Sequence, residues 1–187
     1  MCSINGFNFE DKNLIERMNK VTAHRGPDGS NFFVKNGISL GHNRLSIIDL
    51  STVAGQPMYS NDGRYVIVFN GEIYNYLDIK KDLSDYDFKT NGDTEVILAA
   101  YIKWGRKSVE KLNGIFAFAI WDNNNQELFI ARDRIGVKPL YYFHNKDKFI
   151  FASEIKAILE HNVPRKLSYE AFSHYMRVLY VPAPLTM

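Results

Sequence analysis

Apolar positions recur along this chain with two different periods. Near the start, Leu14, Ile15, Met18 and Val21 fall on one face of a helical repeat, and Asp11 stands where it can cap the first turn. Ahead of that helix, Cys2 to Phe7 reads as a short opening strand. Asn31–Lys35 and Ile38–Ile48 are extended runs joined at Asn36-Gly37, a pair suited to a two-residue hairpin turn. The His24-Arg25-Gly26-Pro27-Asp28-Gly29 segment before them reads as a loop, because Gly and Pro break both regular structures. Tyr65 to Phe69 is a strand of β-branched and aromatic residues that ends at a second Asn-Gly pair, Asn70-Gly71. Asn75 is placed to cap a helix to about Leu83. Asp93 or Thr94 opens a stronger helix, with Val96, Ile97, Ala100 and Tyr101 apolar and Gly105 at its end.

Downstream, strands dominate. Ile115 to Trp121 is almost entirely apolar, as expected of a strand covered on both faces. Glu127–Asp133, Leu140–His144 and Phe149–Ala152 follow, separated by polar turns. Glu154 to Glu160 reads as a short helix, and Ser168 is placed to cap another that runs to about Leu179. Two groups of strands with helices between and around them predict two sheets stacked face to face and covered by helices. The strand order does not follow from the pattern.

Composition narrows the function classes. The 187 residues suffice for one domain with a real core and the start of another. With 45% hydrophobic and 24% charged residues the chain is ordinary for a globular protein, and its net charge of +2 gives no strong field toward nucleic acid or membrane. A single cysteine, Cys2, cannot form an internal disulfide and fits a reducing compartment. No apolar run approaches the roughly 18 residues that suggest a membrane span, and no signal-peptide pattern opens the chain, so a cytoplasmic location is expected. The five histidines show no zinc-like spacing with Cys2 or a carboxylate, and there is no Gly-rich phosphate loop.

Candidate chemistry starts at Cys2. A side chain this small after Met1 favours removal of the methionine, which would leave a thiol and a free α-amine on one residue. Their reference pKa values are about 8.5 and about 7.7–8.0, so at neutral pH part of the amine is unprotonated and can take the thiol proton. This is the cysteine counterpart of a threonine activated by its N-terminal amine. The plainer alternative is a small buried residue opening a strand.

A thiol attacking an amide needs donors for the developing oxyanion. Asn70-Gly71 offers a side-chain amide and a backbone N–H close together, although an Asn-Gly pair is also an ordinary hairpin turn. Arg44, Glu72 and Asp93 form a candidate charged set for an amino-acid substrate, an arginine fork for the carboxylate and acids for the ammonium. Singly, Arg44 reads equally as a solvated strand charge, Glu72 as a polar strand residue and Asp93 as a helix cap.

Taken in order, MCSING at the start, HRGPDG at 24–29, RLSIIDL at 44–50, GQPM at 55–58, NGEIYN at 70–75 and GDTEVIL at 92–98 resemble the glutaminase domain of class II glutamine amidotransferases, in the branch of the glutamine-hydrolysing asparagine synthetases. LNGIFAFAIWD at 112–122, ARDRIGVKPLYY at 131–142 and FASEIKAIL at 151–159 continue the resemblance. It implies an α+β fold of the N-terminal-nucleophile hydrolase type, a four-layer αββα sandwich of two antiparallel sheets. It also implies roles: Cys2 as nucleophile, Asn70 and the Gly71 N–H as oxyanion hole, Arg44 on the glutamine carboxylate, and Glu72 and Asp93 on its amine, helped by backbone groups near Leu45 and Ile48. The 24–29 loop would shape the pocket beside the nucleophile.

The resemblance further implies a layout of glutaminase domain over 1–160 and, over 161–187, the start of a connection to an ATP-dependent synthetase domain. ATP and Mg²⁺ belong to that second domain, with no cofactor or metal expected in this chain. Glutamine and the synthetase domain are the expected partners, with a homodimer also allowed. Aspartate is the expected acceptor of the ammonia, and another carboxylate such as a sugar acid is the alternative. A catalytically silent docking module, if Met1 is retained, and a glutamine-binding sensor are the competing readings.

Overall fold

The computed structural model describes residues 1–186. Among the described residues, nine strands form two antiparallel sheets. The five-stranded sheet has the order β2-β3-β1-β9-β8, built from β1 (Ser3–Phe7), β2 (Gly29–Lys35), β3 (Ile38–Arg44), β8 (Tyr141–His144) and β9 (Phe149–Ala152). The four-stranded sheet has the order β4-β5-β6-β7, built from β4 (Met58–Tyr59), β5 (Tyr65–Ile73), β6 (Gly114–Asp122) and β7 (Glu127–Arg132). Helices α1 (Lys12–Val21) and α4 (Ile155–Ile158) cover the first sheet, and α2 (Tyr76–Lys81) and α3 (Asp93–Trp104) cover the second.

Alternation along the strands separates the layers. Ile4, Ile38, Leu40, Val66, Val68, Ala117 and Ala119 fill the space between the sheets. Phe7, Ile150 and Ala152, on the opposite face of the first sheet, pack against Leu14, Ile15 and Met18 of α1. Ile67, Phe69, Phe116, Phe118 and Ile120 pack under α3. Because β6 is covered on both faces, its sequence lacks alternation, as predicted. The layers are those of the expected αββα sandwich.

The caps at Asp11 and Ser168 and the first hairpin follow the sequence closely, whereas Asn75 holds the N-cap position of α2 without a side-chain cap, its amide engaged instead with Lys111 and Asn113. Asp11 accepts a hydrogen bond from the Leu14 N–H, and Ser168 accepts one from Ala171 at the start of α5 (Tyr169–Val178). Asn36 and Gly37 both take positive φ, as the two-residue turn between β2 and β3 requires. The helix expected at 154–160 is shorter, ending at Ile158 and continuing to His161 as tighter turns.

Two expectations are corrected. The extended run was expected to reach Ile48, yet β3 stops at Arg44. Beyond it the chain turns back, and the carbonyls of Asp49 and Ser51 accept hydrogen bonds from the Arg44 guanidinium. The second Asn-Gly pair is not a turn. β5 runs unbroken through Asn70 and Gly71 to Ile73, paired with β6 along its whole length. Gly71 is required for another reason, since a Cβ there would lie 2.4 Å from the Ile115 carbonyl oxygen. Among the described residues, no helix is long and apolar enough to cross a membrane.

Candidate active site

The end of the inter-sheet layer opens into a cavity of about 110 Å³ lined by Cys2, Arg44, Leu45, Ile48, Asn70, Gly71, Glu72 and Asp93, with Met1 at its side. Strand periodicity explains why these residues meet. Cys2 precedes β1 on the same face as Ile4, Arg44 ends β3 on the face of Leu40, and Asn70 lies on β5 on the face of Val68. All three faces point between the sheets. Every residue singled out in the sequence therefore lines one cavity, although they come from four separate stretches of chain.

Cys2 is held from both sides. Its carbonyl accepts a hydrogen bond from Arg25 Nε at 3.0 Å, and Arg25 is fixed by Glu154, which also pairs with His24. Its Sγ accepts the Leu45 N–H at 3.3 Å. The 24–29 loop thus lies against the nucleophile, and the close approach of Gly26 to the Asn43 backbone leaves no room for a side chain. Burial pushes the Cys2 thiol up, while the Leu45 N–H and the positive charges of the N-terminus, Lys138 and Arg44 pull it down without fully compensating.

The donor pair is formed by β5. The amide nitrogen Nδ2 of Asn70 has no hydrogen-bond partner, and the residue is only 1% exposed. Gly71 sits opposite Phe116, whose own N–H and C=O are engaged with Asp133 on the β7 side. In an antiparallel ladder such a pair exchanges no hydrogen bonds, so the Gly71 N–H points away from β6. The flanking N–H groups on that edge are occupied, Phe69 by the side chain of Gln56 and Ile73 by Asp93. Only the Gly71 N–H between them is left to face the cavity. Two donors without protein partners therefore line the same cavity.

The charged groups line the same cavity. Asp93 is not the helix cap, a position held by Gly92. It occupies the first turn of α3, where its Oδ2 accepts the Ile73 N–H at 2.9 Å. Burial, with the neighbouring Glu72 charge adding to it, pushes its carboxyl up to about 6 against the N–H groups that pull it down. Glu72 is exposed at the cavity mouth. Arg44 lines the wall with part of its guanidinium committed to the Asp49 and Ser51 carbonyls, so it also braces the loop it faces.

Sequence reasoning missed several supporting residues. Asp49 accepts the N–H groups of Ser51 and Asn91 and so ties the 45–51 loop to the turn that carries Asp93. Gln56 bridges Phe69 and Thr94 across the cavity floor. Both stand inside motifs quoted from the sequence, but nothing in their spacing marks them as bracing residues. Lys138 also lines the cavity. Among the described residues, no group of three or more His, Cys, Asp or Glu side chains is arranged to hold a metal ion.

Comparisons with known proteins agree with this geometry. The family model of the glutamine amidotransferase domain matches residues 1–187. The asparagine synthetase (glutamine-hydrolyzing) 1 of Bacillus subtilis is 42% identical over 180 residues, covering 95% of this chain and 28% of the relative. The asparagine synthetase (glutamine-hydrolyzing) 3 of the same organism is 44% identical over 172 residues, covering 86% of this chain and again 28% of the relative. Among solved structures, the glutamine phosphoribosylpyrophosphate amidotransferase of B. subtilis superposes with a TM-score of 0.72 at 23% identity, covering 84% of this chain and 43% of that one. That likeness shows the fold, two stacked antiparallel sheets covered by helices. With the family model matched along its length, the chain belongs to the glutamine amidotransferase domain family.

Proposed function

We propose that this domain hydrolyses glutamine to glutamate and ammonia through a thioester on Cys2. The observation that carries the reading is the pair of unengaged donors, Asn70 Nδ2 and the Gly71 N–H, in the cavity that also holds Cys2 Sγ. A buried amide without a partner is expensive in a resting protein, and an oxyanion at that spot would satisfy it.

The proposed steps use the residues of this cavity. Removal of Met1 frees the Cys2 amine, which takes the thiol proton. Sγ attacks the side-chain carbonyl carbon of glutamine, forming a C–S bond, and the carbonyl oxygen becomes an oxyanion held by Asn70 and Gly71. The amine returns the proton to the departing nitrogen, the C–N bond breaks and ammonia leaves. Water, deprotonated by the same amine, then attacks the thioester and releases glutamate and the thiol. Arg44 orients the α-carboxylate, while Asp93 and Glu72 hold the α-ammonium with the backbone near Leu45 and Ile48.

The chain spans 28% of the length of the two asparagine synthetase relatives. The use of the ammonia is therefore part of the proposal. We assign residues 161–187 to a connection leading to a synthetase domain that would use ATP and Mg²⁺ to amidate a carboxylate, aspartate first. The exposed apolar side chains of α5, Tyr169, Phe172 and Met176, support a covering partner on that side. A cytoplasmic location keeps the one thiol reduced.

The test is direct. The chain, shown by mass to lack Met1, is incubated with glutamine and no ATP, and glutamate and ammonia are measured. Equal release of both, abolished in Cys2→Ala with the fold retained, is expected. Glutamine binding without release would make the domain a sensor. No binding would make it a docking module.

A further inference from the structure

Two charged residues of the cavity, Asp49 and Lys138, have no part in the steps above, and Asp49 is already engaged with the Ser51 and Asn91 N–H groups. Lys138 follows β7 at the end of a tight turn that begins at Asp133. Asp133 accepts the N–H groups of Val137, Lys138 and Phe116, so its carboxylate staples the turn to β6. Arg132 closes the other side, donating from Nε to the Lys138 carbonyl and from Nη2 to that of Gly136. Gly136 takes the positive φ that this reversal needs. Both polar groups of the Lys138 backbone are thereby fixed, and the side chain enters the cavity, leaving the residue 9% exposed.

The Lys138 ammonium has no anionic partner among the described residues. Its one hydrogen-bond partner among the described residues is the Met1 Sδ at 3.5 Å, and a thioether is a weak acceptor. The two arginines near Cys2 are committed, Arg44 to the carbonyls of Asp49 and Ser51 and Arg25 to Glu154 and the Cys2 carbonyl, and the Met1 ammonium is lost with Met1. The acids facing the cavity are Asp49 on the loop after β3, Glu72 on β5 and Asp93 on α3. Asp49 and Asp93 each accept backbone N–H groups, and none of the three pairs with Lys138.

We propose that Lys138 is a positioning cation for the nucleophile, its ammonium stabilising the Cys2 thiolate and opposing protonation of the amine that Met1 removal frees. The Met1 Sδ contact places the ammonium beside the residue whose loss creates that amine. Buried charges interact strongly because little water screens them. Two adjacent cationic groups disfavour one another, which is one way proteins keep an amine unprotonated at neutral pH. The proposal rests on the glutaminase reading, but its test does not need glutamine to be cleaved.

The experiment compares wild type, Lys138→Met, Lys138→Gln and Lys138→Arg in the full chain with Met1 removed. The rate of Cys2 alkylation by iodoacetamide is followed against pH by mass of the N-terminal peptide, alongside the pH profile of glutamine hydrolysis. In Lys138→Met, which keeps the bulk of the stem, the alkylation midpoint is expected to rise by about one pH unit, so that labelling at neutral pH is about tenfold slower. The acid limb of the hydrolysis profile should move in the same direction. Lys138→Arg should follow wild type. Should Lys138→Met fail to fold, Lys138→Gln carries the same expectation. Superimposable alkylation profiles for wild type and a folded neutral variant would overturn the proposal. An absence of hydrolysis in wild type, with the alkylation shift intact, would instead overturn the glutaminase reading alone.

Discussion

Replacing Asp93 by Asn separates stability from function in one residue. Asp93 is 5% exposed, and its carboxyl is raised from 3.8 to about 6, chiefly by burial. The folded protein therefore holds a proton there that the unfolded chain has already released between those two values. In that window stability falls as pH rises, and above about 6 the full penalty of the buried charge is present. A shift of about two units corresponds to about 3 kcal/mol. Asn can still accept the Ile73 N–H through its carbonyl oxygen but carries no charge. Urea unfolding at about pH 7.5 should show Asp93→Asn more stable than wild type by up to about 3 kcal/mol, with the difference vanishing near pH 4. Glutamine hydrolysis should move the opposite way. Losing the charged partner of the α-ammonium should raise KM about tenfold to a hundredfold. A variant that is less stable at neutral pH, or whose gain is independent of pH, would show that the ionised carboxylate is not strained by its burial.

Asn70→Ala should lower kcat by about 10²–10³-fold with little change in KM, because the lost donor acts only on the oxyanion. An unchanged kcat in a steady-state assay would remove Asn70 from that role. Gly71→Ala should be destabilised by about 2–4 kcal/mol in urea unfolding, since its Cβ would fall 2.4 Å from the Ile115 oxygen and 2.7 Å from the Phe116 Cα, both backbone atoms. Acid sensitivity should follow the buried histidines. Burial lowers His42 to about 3 and His161 to about 4, so below the ordinary value of 6.5 the unfolded chain takes up two protons that the folded protein refuses, while Asp93 opposes them by one. From these three groups, stability should decline by about 1.4 kcal/mol per unit as pH falls from about 6 to about 4.5, and about twice as steeply in Asp93→Asn. Denaturant midpoints across that range check both slopes.

Much of this protein is local and could be read locally. The α1 face, the caps at Asp11 and Ser168 and the Asn36-Gly37 turn depend on side chains within a few residues of one another, and the sequence carried each of them. The same holds for β6, whose unbroken apolar run reports cover on both faces. The ordered motifs are also legible as a family signature, and they mark Cys2, Arg44, Asn70, Gly71, Glu72 and Asp93.

Whether an Asn-Gly pair turns or continues depends on what lies beside it. At Asn36-Gly37 no neighbouring strand pairs with the two residues to hold them extended, so the backbone relaxes into the turn. At Asn70-Gly71, β6 holds the chain extended, and Gly is needed so that two backbones can approach. The same distance between sequence and space hid Lys138, brought to the N-terminus by a turn 137 residues away, and Asp49, whose partner Asn91 lies 42 residues on. Residue types and short-range order are written in the chain. Which N–H stays free, which carboxylate is dehydrated and which cation lines the cavity are properties of packed surfaces, and only the stacking of the two sheets decides them.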